Sequence, residues 1–507
     1  MVVGSAIAMD AMNWLVDIIY LGLLALLACY GCYRYYLLWL YYRVKGKRLH
    51  VPVAPAHWPS VTIQIPVYNE RYVVERAIHA ACAVDYPPDR LTIQLLDDST
   101  DDTPEVIART LAPYRDEGYR VMHLQRMNRQ GFKAGALAEG LKSVRDELIA
   151  VFDVDFVIPR DFLKRTVPLL TTHPHVGMVQ ARWGHVNASY SLLTQAQAVL
   201  LDGHFAIEQV ARYRAGRFFS FNGTAGIWRR EAIVSAGGWQ ADTLTEDLDL
   251  SYRAQLAGWQ CVFLPDLVAP GELPVEINAF KTQQYRWTKG SIQTARKLLP
   301  AILRGSLPWA IKRDAFFHLT GFLSYPLGLL ASLAALPLLG GLLHAPHIWA
   351  IDLLWLALLA IPGACFYLCA QRETDPHWIK RLAMIPWVVA VGVGLSVNNA
   401  WAVLNGLLGR PSVFLRTPKF GIQAKTDRWH HKHYQAARTS TTWIELALAL
   451  YFGTGCVMAW SQQALLALPC LVVFCVGFAY VGWLSWWQQR TLPAFSLHHL
   501  DPLAARL

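Results

Sequence analysis

Long apolar runs lie at the two ends of the chain and enclose a middle region of mixed polarity. The first run is Asn13–Tyr42, and the others fall near residues 314–342, 348–370, 382–408, 443–462 and 464–487. Each is close to the roughly 20 residues with which an apolar helix crosses a bilayer. The pattern predicts an N-terminal transmembrane anchor at 1–42 and a C-terminal α-helical transmembrane bundle with interfacial helices at 301–507, with about six helices in all.

In the middle region, residues 43–300, short apolar strands alternate with amphipathic helices. Strands are predicted at Val61–Val67, Leu91–Leu96, Val121–Gln125 and Ile149–Phe156, and helices at Tyr68–Val84, from Thr103 and at Lys133–Leu141. This alternation is typical of a parallel α/β sheet. Ligands of such sheets bind beyond the carboxyl ends of the strands, so the residues that follow the strands are the first candidates for a site.

Acidic residues stand at two of these strand ends. Asp97 follows the second strand, and Asp153 and Asp155 close the buried run Ile149–Phe156. On an extended chain Asp153 and Asp155 would point the same way, because side chains alternate along a strand. Two carboxylates on one face stay ionised most easily around a divalent cation or another positive partner. One interpretation is a Mg²⁺ or Mn²⁺ site open to substrate phosphates, and the other is a solvated turn.

Further candidate residues lie downstream. Phe219–Gly226 contains two glycines that allow close approach to a ligand. Glu246 and Asp247 stand in the first turn of a predicted helix, where they either complement the helix dipole or supply a general base. The stretch 283–290 places cations beside an aromatic ring, a combination suited to a diphosphate and a sugar face.

The charge balance supports a membrane protein. The 507-residue chain is 54% hydrophobic with a formal charge of +10, and many of its basic residues flank the apolar runs. Arg43, Lys45, Lys47 and Arg48 follow the first run, so the positive-inside rule places residues 43–300 in the cytoplasm. We expect a multi-pass integral membrane protein, in the inner or plasma membrane if the source is bacterial, that binds no nucleic acid.

The order of the motifs resembles that of the processive family 2 glycosyltransferases, a group that includes cellulose, chitin, hyaluronan and mannan synthases. It is most similar to the cellulose-synthase-like branch that makes mannan or glucan backbones. The resemblance covers roughly residues 60–290 and rests on Asp97-Asp98, Lys133-Ala134-Gly135, Asp153-Val154-Asp155, Thr245-Glu246-Asp247 and Gln283-x-x-Arg286-Trp287. Phe414–Lys419 resembles the gating loop of cellulose synthases, with Arg416 where those enzymes have valine.

The resemblance implies a GT-A-type, Rossmann-like catalytic domain that inverts the anomeric centre of a nucleotide sugar. Asp247 would be the base, with Glu246 beside it, and Gln283 and Trp287 would hold the acceptor. Asp155 and Asp153 would bind Mg²⁺ or Mn²⁺ between the phosphates. The remaining donor-binding residues implied are Asp97, Lys133, Asp153, Arg286, Arg416 and Lys419.

The function implied is polymerisation of a β-linked glucan or mannan, with β-1,4 linkage expected, from UDP-glucose or GDP-mannose. The partners would be the nucleotide sugar, the growing polysaccharide and the bilayer across which the product passes; the oligomeric state is left open. An enzyme that adds one sugar to a lipid, of the ceramide or dolichol-phosphate type, is the alternative. A transporter is disfavoured because the carboxylates cluster outside the apolar runs.

Phe414–Lys419 allows two interpretations of its own. Pro411 and Pro418 disfavour a continuous helix, and Arg416 and Lys419 would attract a diphosphate if the segment closed over the donor. Alternatively, the segment is a polybasic strip on anionic lipid headgroups. The basic linker 410–442 should be cytoplasmic, whereas three full crossings before it would place it outside. The run 382–408, with its asparagines, is therefore expected to lie partly at the interface.

Overall fold

The computed structural model describes residues 2–491 except 48–51, 127, 335, 338–357, 359–360, 413, 435 and 437–438, with side chains from Ile18 onward. One mixed sheet organises the middle of the chain, with the strand order β3-β2-β1-β4-β6-β5-β7. The strands are β1 (Val61–Val67), β2 (Leu91–Asp97), β3 (Arg120–Gln125), β4 (Leu148–Val151), β5 (Val176–His185), β6 (Gly226–Arg229) and β7 (Gln260–Gly271).

The predicted parallel sheet is confirmed for β1 to β4, and the second half of the sheet differs. β6 lies antiparallel to both β4 and β5, while β5 and β7 run parallel to each other. All strands except β6 therefore point the same way, and their carboxyl ends share one edge. The predicted strand Ile149–Phe156 is too long. β4 ends at Val151, so Asp153 and Asp155 stand in the turn that follows it.

Helices cover both faces of the sheet because alternate strand residues are apolar on both sides. Ile63 and Ile65 of β1 belong to one buried cluster, and Ile149 and Val151 of β4 belong to the other. After α1 (Val2–Val44), the helices of this region are α2 (Val74–Cys82), α3 (Thr103–Asp116), α4 (Phe132–Ser143), α5 (Phe162–Thr172), α6 (Leu192–Asp202), α7 (Val210–Arg214), α8 (Arg230–Ser235) and α9 (Glu246–Leu256).

The described C-terminal part is helical except for short connections and the linker between Leu407 and Thr442. Its helices are α10 (Ile277–Arg304), α11 (Trp309–Thr320), α12 (Ser324–Leu333), α13 (Ile361–Thr374), α14 (Met384–Gly394), α15 (Ser396–Leu407), α16 (Thr442–Ser461) and α17 (Leu468–Thr491). Most of the run predicted near 348–370 lies outside the described residues; Ile361–Thr374 contains its last part.

In the described part of the chain, four helical segments are long and apolar enough to cross a membrane: Ile18–Val44, Trp309–Leu333, Thr442–Ser461 and Leu468–Arg490. α14 and α15 pass the same test only as a pair, and they are bent by 45° against each other. α15 packs on α10, where Asn405 Nδ2 donates to the Tyr285 hydroxyl at 2.9 Å and Arg296 Nη1 donates to the Gly406 carbonyl at 2.9 Å. The bent pair is consistent with the interfacial placement expected for residues 382–408.

Candidate active site

A polar pocket lies at the carboxyl edge of the sheet. It is lined by residues that follow β1, β2, β4 and β7, by the end of β5, and by the start of α9. Ten of the sequence-predicted site residues line it: Lys133, Asp153, Asp155, Glu246, Asp247, Gln283, Arg286, Trp287, Arg416 and Lys419. The structure thus brings together residues from five separate parts of the sequence.

The Lys133 ammonium neutralises the first of the paired carboxylates. Its Nζ lies 2.5 Å from Asp153 Oδ1 and 3.8 Å from Glu246 Oε1, and it donates to the Gly223 carbonyl at 3.0 Å. Burial lowers the pKa of Lys133, but the carboxylates of Asp153 and Glu246 outweigh burial and raise it. The lysine is therefore a fixed positive charge in the pocket.

Asp155 is neutralised by Lys419, which lies far from it in the sequence. Its Oδ2 lies 2.7 Å from Lys419 Nζ, and that ammonium also donates to the Glu272 carbonyl at 2.6 Å. Glu272 directly follows β7, and its carboxylate accepts from the backbone N–H groups of Phe420 at 2.9 Å and Gly421 at 2.8 Å. The segment containing Lys419 is thus fastened to the end of the sheet.

Glu70, which sequence reasoning missed, is a further acid at this edge. It stands three residues beyond β1, and its Oε1 lies 3.5 Å from Arg416 Nη1. Burial raises the pKa of Glu70 to about 8, with Arg416 opposing the shift and the charges of Asp155 and Asp153 adding to it. The strand-end argument that selected Asp97 and Asp153 would also have found Glu70 after the first strand.

Asp247 has the surroundings of a general base. It lies in the first turn of α9, where its Oδ1 accepts from the Leu248 backbone N–H at 2.8 Å. Burial, with the neighbouring charge of Glu246, raises its pKa to about 7, against the opposing effect of Lys133. Gly223 packs beside it with φ +82°, and a Cβ there would lie 2.9 Å from Asp247 Oδ2. Glycine is therefore required at this position by both backbone and space.

Asp97 is placed differently from the other predicted residues. It does not line the pocket; its Oδ2 bonds His123 at 2.8 Å, and its Oδ1 accepts from the Ser99 backbone N–H at 2.8 Å. Burial raises its pKa, but the hydrogen bonds from His123 and Ser99 prevail and the net shift is downward. Asp98 lines the pocket instead, and Arg126 holds it through both of its carboxylate oxygens.

Helix α10 carries the residues predicted to bind the diphosphate (Arg286) and the acceptor (Gln283 and Trp287) within one stretch. Arg286 Nη2 donates to Thr417 Oγ1 at 2.9 Å, and its guanidinium lies 4.4 Å from the ring centre of Phe414. Trp287 lies 6.4 Å, between ring centres, from Trp183 near the end of β5. Two indole rings therefore line one end of the pocket, a surface suited to the face of a sugar.

Among the described residues, no group of three or more His, Cys, Asp or Glu side chains is arranged to enclose a metal ion. The donor set nevertheless fits a hard divalent cation, since Mg²⁺ typically takes one or two carboxylates plus substrate phosphates. Asp153 and Asp155 supply those oxygens, and lysine ammonium groups now neutralise both carboxylates. An open metal site that the donor completes is compatible with these residues.

The mixed sheet with an acidic pocket at its carboxyl edge has the GT-A-type fold, and comparisons with known proteins agree. The family model "Glycosyltransferase like family 2" matches residues 59–290. A mannosyltransferase from Pyrobaculum calidifontis, solved with GDP-Man and Mn²⁺, covers 80% of this chain and 100% of its own with a TM-score of 0.52 and 22% identity, which supports the fold.

The curated relatives of the chain include glucomannan 4-beta-mannosyltransferases. The chain is 47% identical over 253 residues to the probable glucomannan 4-beta-mannosyltransferase 9 of Oryza sativa subsp. japonica, and 45% identical over 253 residues to glucomannan 4-beta-mannosyltransferase 2 of Arabidopsis thaliana. The matches cover 49% of this chain and 48% and 47% of the relatives, so the chain spans about half the length of the curated relatives it matches. Residues 59–290 therefore match the glycosyltransferase family 2 model, and the predicted resemblance to the cellulose-synthase-like branch is confirmed by these relatives.

Proposed function

We propose that the chain is a membrane-embedded β-mannan synthase that transfers mannose from GDP-mannose to the end of a growing β-1,4-linked chain. The observation that carries the proposal is the pocket itself, in which Asp247 lies among the cations and carboxylates that a nucleotide diphosphate sugar requires. Mannose is supported by the names of the curated relatives. GDP-mannose is the donor expected for a mannosyltransferase of this fold.

The proposed step is a single displacement. Asp247 removes the proton from the attacking acceptor hydroxyl, whose oxygen forms a bond to the anomeric carbon. The bond from that carbon to the diphosphate oxygen breaks, and GDP leaves with the electron pair. A base with a pKa near the working pH suits this task, and the elevated pKa of Asp247 provides one.

Several side chains of the pocket would stabilise the charge on the leaving diphosphate. Arg286 offers a planar guanidinium, and Lys133 is held as a cation by its carboxylate neighbours. Asp155 and Asp153 would hold a divalent cation, which when bound supplies further positive charge to the phosphates. Asp98 and the residues after β1 would lie toward the nucleoside end.

The segment Phe414–Lys419 is proposed to be a lid over the donor. It lines the pocket through Phe414, Arg416, Thr417 and Lys419, and bonds to Glu272 and Arg286 hold it there. The alternative lipid strip would require Arg416 and Lys419 to face headgroups, whereas Thr417 and Lys419 are buried in this arrangement. A closed lid excludes water during transfer.

The pocket and the linker that contacts it must lie on the same side of the bilayer. Between the catalytic domain and the linker, Trp309–Leu333 is one candidate crossing. The condition is met if the run predicted near 348–370 is the second crossing and α14 and α15 form an interfacial, re-entrant pair. With the basic residues after α1, this supports a cytoplasmic catalytic domain and passage of the product between the membrane helices.

The experiment is to offer detergent-solubilised protein a panel of GDP- and UDP-sugars with Mn²⁺ or Mg²⁺. The release of GDP or UDP and the size of the sugar product are measured. GDP-mannose should give turnover and a ladder of β-1,4-mannan susceptible to mannanase. Turnover with UDP-glucose alone would contradict the proposed donor. A single lipid-linked product would instead identify a non-processive lipid glycosyltransferase.

A further inference from the structure

A π-helix interrupts the connection from α6 to α7 beside the pocket. It covers Gly203–Gln209, and π segments within helices frequently mark functional positions. The start of this segment packs tightly on membrane-side helix α13, since a Cβ at Gly203 would lie 2.9 Å from Phe366. The proposed mechanism assigns no role to the segment, although His204 and Gln209 bond Asn222, which lines the pocket.

The side chain of Asn222, in the pocket wall, is held from two sides by this π-helix. Gln209 Nε2 donates to Asn222 Oδ1 at 2.6 Å, and Asn222 Nδ2 donates to His204 Nε2 at 3.0 Å. Because His204 Nε2 accepts, its ring proton lies on Nδ1, which donates to Glu208 Oε2 at 3.1 Å. The carboxamide therefore has one fixed orientation.

The buried side chain of Arg212 holds Glu208 in place. Glu208 Oε1 accepts from Arg212 Nη2 at 2.8 Å and from Arg212 Nε at 3.0 Å, and the Arg212 side chain is fully buried. Burial raises the pKa of Glu208, but Arg212 and His204 overcome this and hold the pKa well below its usual range. An ionised Glu208 keeps the His204 proton on Nδ1, so the tautomer that accepts from Asn222 is the stable one.

Asn222 lines the pocket, and its neighbours in the fold reach both the predicted base and the aromatic end. Its sequence neighbour Gly223 packs against Asp247, while Phe205, next to His204, lies 5.0 Å from Trp183 between ring centres. One N–H of the Asn222 amide is occupied by His204, and the other makes a long contact of 3.5 Å with Ser220 Oγ. Because this contact is at the upper limit of hydrogen-bond length, a sugar hydroxyl in the pocket would compete with Ser220 for the second N–H.

We propose that His204 is a positioning residue for the acceptor: it fixes the Asn222 carboxamide so that its second N–H binds a hydroxyl of the acceptor's terminal sugar beside Asp247. This inference rests on the proposed transfer to a sugar acceptor but not on the identity of the donor. It assigns a role in acceptor binding to a residue that contacts no substrate itself.

A double-mutant cycle tests the proposal with the full-length protein in detergent. His204→Leu, Asn222→Ala and the combined variant are compared with wild type, using short β-1,4-linked manno-oligosaccharides as acceptors and the donor that the wild type uses. The acceptor KM, the kcat and the affinity for GDP with Mn²⁺ are measured for each. His204→Gln is the matched control, since its side-chain oxygen can replace the ring nitrogen as hydrogen-bond acceptor.

Asn222→Ala should raise the acceptor KM about tenfold, as expected for a lost hydrogen bond in a closed site. His204→Leu should raise it several-fold, and the double variant should match Asn222→Ala alone, because His204 acts through Asn222. His204→Gln should restore most of the acceptor affinity, and nucleotide affinity should stay within about twofold throughout.

Additive effects of the two substitutions would overturn the proposal, as would equal losses with His204→Gln and His204→Leu. A parallel loss of nucleotide affinity would show that the π-helix only supports the fold. If the wild type transfers a sugar other than mannose, the donor proposal fails, and the cycle is run with that sugar and its own acceptor. The two failures are therefore distinguishable.

Discussion

The Asp247 carboxylate must be ionised to act as the base, so its pKa sets the acid limb of the activity profile. Burial and the charge of Glu246 raise that pKa to about 7. Below this pH the carboxyl group binds a proton and cannot accept another, and above it the base is free. We expect kcat/KM for donor and acceptor to rise with pH through about 7 and then level off. A profile that is flat from pH 5 to pH 9 would exclude Asp247 as the titrating base.

The variant Asp247→Asn removes the proton acceptor with little change in shape. Turnover should fall by about 10²–10⁴-fold, the range for loss of a general base. Affinity for GDP should be retained, because the proposed phosphate ligands are other side chains. Calorimetry measures the affinity for GDP, and a coupled assay of GDP release measures turnover. Near-normal turnover in Asp247→Asn would leave Asp247 with only its role at the start of α9.

Asp155 is the residue on which the metal prediction rests. Its carboxylate is compensated by Lys419 at 2.7 Å. We expect EDTA to stop turnover and Mn²⁺ or Mg²⁺ to restore it, because a bound cation would add positive charge at the diphosphate to that of Arg286 and Lys133. Asp155→Asn should weaken Mn²⁺-dependent GDP binding while leaving metal-free binding of guanosine unchanged. Full activity in excess chelator would remove the metal from the mechanism.

At the scale of elements, the proposed lid Phe414–Lys419 is tested through its two cations. Lys419 occupies one oxygen of Asp155, and Arg416 faces Glu70 at 3.5 Å. The variant Arg416→Ala/Lys419→Ala should lower kcat about 10²-fold, because preorganised charge over the diphosphate is lost. Without donor, the same variant should bind Mn²⁺ more tightly, since the ammonium no longer competes for Asp155. Turnover assays and metal titrations separate the two effects.

A control for the lid lies in the same linker. Lys425 is exposed and basic, and it does not line the pocket. Lys425→Ala should therefore leave turnover in detergent unchanged. If the Arg416→Ala/Lys419→Ala variant also turns over normally in detergent and loses activity only in anionic vesicles, the segment is a lipid-contacting strip and not a lid.

The elements of the first half of the sheet could be predicted from the sequence because their signals are local. Val61–Val67 is observed as predicted, and Leu91–Leu96 is one residue short of β2. β6 was not predicted, since Gly226–Arg229 is a four-residue strand whose pairing depends on β4 and β5. The end of β4 was missed because apolar residues continue to Phe156, although the ladder stops at Val151.

At the scale of the whole molecule, the motifs indicated which residues form the site but not their contacts. Lys419 reaches Asp155 across more than half of the chain, and no local pattern encodes that distance. Asp97 fits the motif, yet in the fold it bonds His123, because β3 pairs beside β2 and brings that ring to its carboxylate. Glu208 and His204 escaped notice because a π-helix has no strong sequence signal.

One buried ion pair connects the catalytic domain to the membrane helices. Lys281 Nζ, near the start of α10, lies 2.8 Å from Glu445 Oε1 of α16, and both side chains are fully buried. Thr441 Oγ1 donates to the same carboxylate at 2.9 Å, and Asn398 Nδ2 of α15 donates to the Lys281 carbonyl at 3.0 Å. Because α10 also carries Gln283, Arg286 and Trp287, which line the pocket, this pair fixes the position of these side chains relative to the bundle.

The last prediction follows from the cost of an unpaired buried charge. Lys281→Met or Glu445→Leu alone should destabilise the protein by about 3–5 kcal/mol, because each leaves one ion without its partner. The double variant Lys281→Met/Glu445→Leu should recover most of that loss, since two apolar side chains of similar volume replace the pair. Thermal unfolding in detergent, monitored through the catalytic domain, measures all three. If the double variant loses as much stability as the two single variants together, Lys281 and Glu445 stabilise the protein through independent contacts and not through their ion pair. If stability returns but turnover does not, the ion pair also sets the position of α10 in the active site.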